Sequence, residues 1–333
     1  MKSLWGTLPT PFFAMAPMAD VTDVAFRRLV AKRGKPHIFW TEFVSADGLY
    51  HTREIQKMAD SENPLMRDFL YEEDQRPIVA QIFSSKPEMI KYATRLVAEL
   101  GFDGVDINMG CPDRAIERQG CGAAMIKNPE LAREIIRTAQ EASDLPVSIK
   151  TRIGYNKETL DEWLTALLEA NPSAITLHLR TRKEMSLVPA DWQQMKKAVE
   201  LRNKINPKVL LIGNGDVRDL ADARSKAAES GCDGVMFGRG MFGNPWVFAG
   251  KRVEEMPLAE KLAALMELAH GFEKLSPPKN FAILKKHIKA FVSGFDGAAD
   301  LRAMLMEAKH ASDLESVIAT YTTGQIDMSK TSG

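Results

Sequence analysis

The chain has 333 residues, and its 44 basic and 44 acidic side chains cancel to a formal net charge of zero. A hydrophobic content of 45% with 26% charged residues is that of a globular protein long enough to bury one large core or two. The balance excludes recognition of a polyanion through overall charge, so a nucleic-acid partner would have to be met by a local basic patch.

Short apolar runs and amphipathic stretches alternate along most of the chain. The runs, read as strands, are Phe12–Met18, His37–Val44, Pro77–Phe83, Gly104–Asn108, Pro146–Thr151, Ala174–Leu179, Val209–Asn214 and Gly234–Phe237. Helix boundaries lie between them. Ser85 and Lys86-Pro87 open one helix that Gly101 closes, Asn128 and Pro129 open another, and Gly34 and Gly231 follow periodic stretches as stops. Strands alternating with helices imply parallel strands joined by crossovers, and eight such units in this length predict a (β/α)8 barrel. An open doubly wound sheet is the competing fold, but Met18-Ala19-Asp20 is not the glycine-rich turn it would carry after its first strand. After Trp246 only helix patterns follow: Pro257–Leu275, Pro278–Ser293 and a weaker pair beyond Gly297. The expected division is a barrel over 1–250, a helical domain over 251–326 and a frayed polar tail over 327–333.

The first twenty residues are broken by Pro9, Pro11 and Pro17, which argues against a signal peptide, and no run approaches the roughly 18 apolar residues of a membrane helix. The three cysteines, Cys111, Cys121 and Cys232, lack metal-site spacing and are too few for a disulfide scaffold. A cytoplasmic monomer without metal or membrane attachment is the expectation.

In a barrel of this class the carboxyl ends of the strands build the active site. Those ends read Ala16-Pro17-Met18, Gln81, Asn108 with Cys111 beyond it, Lys150 and Arg152, His178 and Arg180, Asn214-Gly215-Asp216, and Gly238-Arg239-Gly240. A polar group inside an apolar strand is costly unless paired, and so many at equivalent positions point to a ligand. The glycine-rich ends of the seventh and eighth strands suit a phosphate, with Arg239 adding a charge-assisted contact. Lys150 would set a cation beside a flat group at the centre. Reduced flavin mononucleotide (FMN) has those properties; a sugar phosphate is the alternative. Cys111 stands where a buried strand opens into a glycine-rich loop, a position from which a thiol can give a proton or attack.

The ordered set of motifs resembles the dihydrouridine synthases over nearly the whole chain. It comprises Ala16-Pro17-Met18 with Thr22-Asp23, Thr41-Glu42, Gln81, Asp106-Ile107-Asn108-Met109-Gly110-Cys111-Pro112, Gly122-Ala123-Ala124, Lys150-Thr151-Arg152, His178-Leu179-Arg180, Asp191-Trp192, Asn214-Gly215-Asp216, Gly238-Arg239-Gly240 and Lys286-His287. The resemblance implies an FMN-containing barrel with a helical RNA-binding domain that reduces the C5–C6 bond of uridine in transfer RNA, with electrons from NADPH. It implies that Ala16, Pro17, Met18, Gln81, Lys150, His178, Asn214, Gly215, Asp216, Gly238 and Arg239 hold the flavin. Cys111 would protonate C5, and Asn108, Arg152 and Arg180 would face the substrate. Lys279, Lys285, Lys286, Lys289 and Arg302 would offer phosphate contacts. The stretch 179–190 departs from the family, which often has a small residue after the histidine and Tyr-x-Gly before Ala-Asp-Trp. The alternatives are the same chemistry on ribosomal RNA, a dehydrogenase of free pyrimidines such as dihydroorotate, and an RNA-folding module without turnover.

Overall fold

The computed structural model describes residues 4–324. The expected tail therefore lies outside the described residues.

Eight parallel strands form one sheet: β1 (Phe12–Met15), β2 (Phe39–Ser45), β3 (Ile78–Phe83), β4 (Gly104–Met109), β5 (Val147–Arg152), β6 (Ala174–His178), β7 (Leu210–Asn214) and β8 (Gly234–Phe237). The order is β1-β8-β7-β6-β5-β4-β3-β2. A parallel bridge between Ala14 and Ile38, with His37 N–H donating to Phe13 O at 2.9 Å and Met15 N–H to Ile38 O at 3.2 Å, joins the first strand to the second and closes the ring. The barrel expected from the alternation is what the chain forms. The first strand is shorter than its apolar run, because Pro17 has no N–H to give a ladder and Ala16-Pro17-Met18 leaves the sheet as a loop.

Period-two alternation sorts each strand into an outer face packed on helices and an inner face. The lower inner layers are apolar, with Phe12, Ala14, Trp40, Val79, Ala174, Ile212 and Met236 buried together. Trp5, on a short N-terminal 3-10 turn, closes that end, its ring 6.0 Å from Phe12 and 6.2 Å from Trp40. Towards the carboxyl ends the inner face turns polar, with Asp106, Asn108, Ser148, Lys150, Arg152, His178 and Asn214 on neighbouring strands. Their register pairs Asp106 with Ser148, Asn108 with Lys150, Arg152 with His178, and His178 with Asn214.

Helices Leu258–Glu273, Lys285–Phe291, Ala298–Met306 and Ala311–Thr322 follow the barrel. The second starts later than its sequence pattern suggests, since Pro277-Pro278-Lys279 runs non-helical into Asn280, whose side chain accepts Ala282 N–H at 2.9 Å. These helices share a continuous core with the barrel's own helices through Leu265, Leu268, Phe272 and Ile288. His287 is buried against Phe26, ring centroids 4.8 Å apart. Lys279 reaches across to the barrel, its Nζ 2.6 Å from Glu42 Oε2 and 3.3 Å from Asp68 Oδ1. Among the described residues no helix is long and apolar enough to cross a membrane.

Candidate active site

A cavity of about 760 Å³ opens at the carboxyl ends of the strands. Ala16, Pro17, Met18, Lys150, His178, Asn214, Gly215, Asp216, Gly238 and Arg239 line it, with Arg180. Those are residues that the strand ends had singled out. Gly240, from the same reading of the eighth strand, also lines it, as do Ser186, Val217 and Arg218. Val217 and Arg218 directly follow the Asn-Gly-Asp turn, so their position was available from the sequence; Ser186 sits in a loop whose course was not.

The charged and polar side chains at the strand ends are braced by one another. Lys150 Nζ donates to Asn214 Oδ1 at 3.1 Å, and Asn214 Nδ2 donates to Met236 O at 2.9 Å. Burial lowers the Lys150 pKa to about 8, with the Arg152 guanidinium adding to the effect and Asp106 opposing it. Burial, with four cations nearby, holds His178 well below its ordinary value, so it is neutral. Its Nε2 faces Arg180 Nη1 at 3.1 Å. A guanidinium only donates, so Nε2 is the acceptor and the proton sits on Nδ1.

Asp216 receives hydrogen bonds from Arg180, from Ala190 N–H at 2.8 Å and from Arg239 Nη2 at 2.9 Å. Burial alone would raise its pKa; Arg180 and these partners outweigh burial and hold the carboxyl below its usual range. Arg180 is buried, and its Nε donates to Val188 O at 2.6 Å. It braces the loop after β6 and lines the cavity through the same side chain.

Cys111 is half-buried just beyond β4. Its N–H donates to Asn108 Oδ1 at 2.9 Å, and its carbonyl accepts Ala123 N–H at 2.9 Å. Gly122 has φ +59°, and a Cβ there would lie 2.6 Å from Cys111 O, so the return of the loop needs glycine. The peptide before Cys111 is gripped from both sides: Gly110 N–H donates to Asn108 Oδ1 at 3.1 Å, and Gly110 O accepts Arg152 Nε–H at 2.8 Å. Burial pushes the Cys111 thiol up, against the opposing pull of Asp113 N–H, Arg152 and Lys150. The thiol is therefore protonated at neutral pH.

Gln81, Asn108, Cys111 and Arg152 lie outside the cavity lining. Gln81 is fully buried between Asp106 and Asn108. Arg152 donates from Nη1 to Thr181 O at 3.1 Å and Met185 O at 2.9 Å, tying the β6 loop to the Cys111 loop. A second tie is the ion pair of Arg182 with Glu117, Nε to Oε1 at 2.9 Å. The stretch that departs from the family pattern thus forms one wall of the mouth, with Leu187 exposed beside Ser186.

Residues 14–325 match the family model for dihydrouridine synthase. The chain belongs to the dihydrouridine synthase family. A probable tRNA-dihydrouridine synthase of Staphylococcus epidermidis is 37% identical over 323 residues, 96% of either chain. A probable tRNA-dihydrouridine synthase 2 of Bacillus subtilis is 36% identical over 329 residues, 98% of either chain. Among solved structures, 2-naphthoyl-CoA reductase matches with a TM-score of 0.52 at 11% identity, over 71% of this chain and 49% of that one. A morphinone reductase variant in complex with tetrahydroNAD matches with a TM-score of 0.50 at 11% identity, over 73% and 87%. At that identity the structures show a shared barrel fold. The expectation of a dihydrouridine synthase barrel with a helical C-terminal region is borne out in family and fold.

Of the five basic residues expected on the helical surface, two are engaged in the fold. Lys279 is buried in its pair with Glu42, and Arg302 Nη1 donates to Val292 O at 3.0 Å. Lys285, Lys286 and Lys289 remain, within an arc of about 100° on their helix by its residue period, opposite the buried His287, Ile288 and Phe291. Lys286 Nζ lies 3.5 Å from Asp20, two residues beyond Met18 of the cavity rim.

Proposed function

We propose that this chain reduces the C5–C6 double bond of uridine in transfer RNA to dihydrouridine, with FMN in the barrel mouth and NADPH as electron source, in the cytoplasm. The observation that carries the reading is a thiol on a clamped loop next to a polar cavity: Cys111 N–H is held by Asn108 Oδ1 at 2.9 Å, and Asn108 pairs in register with Lys150, which lines the cavity.

The cavity suits a phosphorylated planar cofactor. A Cβ at Gly238 would meet only Asn214 Nδ2, at 3.9 Å, so the backbone there is open to a ligand. Arg239, with its side chain 60% exposed, adds a cation at that end. Ala16-Pro17-Met18 supply an apolar wall, and Lys150 and His178 Nδ1–H present donors to an electron-rich ring edge. Bound FMN would supply hydride to C6. The chain's own part is to hold the ring against Lys150, to set the Cys111 loop through Asn108 and Arg152, and to deliver the Cys111 proton to C5 of the uridine. Uridine leaves its stack to reach such a site, at a cost of a few kcal/mol.

Lys150→Ala is expected to slow flavin reduction by NADPH on the order of 10²-fold, the typical cost of removing one electrostatic donor. Because the Lys150 pKa is lowered to about 8, its proton is lost as pH rises through that value. The parent's reduction rate should therefore fall above about pH 8, and the variant's should be flat there. His178 is already neutral in this window and Arg152, at about 10, is still charged. Equal rates and equal pH profiles in stopped-flow would remove Lys150 from this role.

The lysines at 285, 286 and 289 are proposed to contact RNA phosphates beside the mouth. Charge reversal at Lys285 and Lys289 should weaken RNA binding, and the salt slope should drop by nearly one unit for each phosphate no longer neutralised, while flavin reduction by NADPH is unchanged. An unaltered slope in both variants would make this a solvated face.

A further inference from the structure

The centre of the barrel holds a chain of hydrogen bonds that runs from a carboxylate to the Cys111 loop. Ser148 Oγ donates to Asp106 Oδ1 at 2.6 Å, and Gln81 Nε2 donates to Asp106 Oδ2 at 2.6 Å. Asn108 Nδ2 donates to Gln81 Oε1 at 3.0 Å. Asn108 Oδ1 accepts the N–H groups of Gly110 and Cys111 at 3.1 and 2.9 Å. Asp106 and Gln81 are fully buried and Asn108 nearly so.

The two ends decide the direction of everything between. Backbone N–H groups only donate, and an ionised carboxylate only accepts. Two amides can connect such ends in one orientation each: carbonyl towards the loop, NH₂ towards Asp106. A flipped Gln81 would set its oxygen against the carboxylate and its NH₂ against that of Asn108.

We propose that Asp106 is a positioning residue for the proton donor, setting the amide orientation of Gln81 and through it that of Asn108, which holds the peptide N–H of Cys111. Asp106 does not line the cavity, and its hydrogen bonds reach the Cys111 loop through this relay. A buried carboxylate inside a strand is otherwise costly: burial raises its pKa to about 6, with Ser148, Gln81 and Lys150 opposing. The inference rests on the reading of Cys111 as the acid.

Exchanging the polarity of the relay tests it. Gln81→Glu sets two carboxylates face to face, so one must keep a proton. The melting temperature of the flavin-free variant should fall as pH rises from about 5 to 8, more than that of the parent. Turnover on RNA should fall on the order of 10²-fold, as a misplaced reacting group typically costs. Adding Asp106→Asn restores a complete pattern. The amide introduced at position 106 donates to the carboxylate introduced at position 81, which also accepts from Asn108, and Ser148 donates to the new amide oxygen. The double variant should lose the excess pH dependence and recover most of the turnover. Should the single variant fail to fold at any pH, the double variant is still expected to fold and turn over.

A double variant no better than Gln81→Glu overturns the proposal, as does a single variant that matches the parent. Restored melting without restored turnover makes the network structural and equally overturns it. Cys111→Ala, assayed alongside, separates the underlying reading: full RNA turnover in that variant removes the acid assignment whatever the relay variants do.

Discussion

Replacing Cys111 with alanine is expected to lower turnover on RNA by about 10²–10⁴-fold, the usual contribution of a positioned general acid, while flavin reduction by NADPH continues. The structure separates the two duties of this residue. Its backbone does the structural work, with N–H on Asn108 Oδ1 and carbonyl on Ala123 N–H, and alanine keeps both. The thiol, half-buried and held protonated by burial, is what the substitution removes. Hydride arriving at C6 leaves charge at C5 and O4 that needs a proton, and the thiol is the group this clamped loop holds ready to give one. Cys121 and Cys232 serve as controls. Both are buried, with Sγ 3.6 Å from Gln119 O and 3.2 Å from Gly234 O, and their alanine variants should stay near full rate. The assay separates half-reactions: bleaching of the flavin by NADPH, then reoxidation by RNA. Reoxidation of the Cys111→Ala enzyme at the parent rate would contradict the assignment.

The second large effect concerns stability. Lys279→Ala should destabilise the protein by about 3–5 kcal/mol at pH 8, as expected when one partner of a buried ion pair is removed. Lys279 and Glu42 have side chains only 4% exposed, and Glu42 Oε1 also accepts Asp20 N–H at 2.5 Å. Burial raises Glu42 to about 7, Asp68 and Asp23 push it the same way, and Lys279 opposes them. Without the lysine the carboxyl moves further up. A folded-state pKa above the unfolded one means that the native state binds the extra proton, so stability falls as pH rises from the unfolded value through the folded one. The deficit of the variant should therefore be small near pH 5, where the native carboxyl keeps its proton, and widen towards pH 8. Urea melts at the two pH values check this. Lys279→Met with Glu42→Gln should recover much of the loss. An equal deficit at both pH values would mean that poorer packing, and not the stranded carboxylate, is the cause.

How much of this was legible beforehand follows from what each feature depends on. Strand ends are local: a run of apolar residues followed by Asn214-Gly215-Asp216 or Gly238-Arg239-Gly240 states both where the strand stops and what it presents. The cavity lining therefore came through nearly complete. The roles of Arg152 and Arg180 did not, because their partners are carbonyls of a loop whose path is set only in the fold. Asp106 was visible as a charge two residues before Asn108, on the same strand face. Its importance depends on hydrogen-bond direction across three strands, which spacing does not carry. Lys279 looked like its neighbours, one more lysine on a polar helix. Only the packing of Pro277-Pro278-Lys279 against the barrel turns it inward. The short helices Ala46–Tyr50 and Pro64–Arg67 between β2 and β3 were unread because they are too brief to show a period.

The most direct test is nucleoside mass spectrometry on unmodified transfer RNA incubated with the purified protein, FMN and NADPH, with ribosomal RNA and free orotate or uracil as parallel substrates. The account predicts a uridine that gains two hydrogens in transfer RNA, with the gain abolished in Cys111→Ala. Reduction of the free pyrimidine with no dihydrouridine in transfer RNA would contradict it.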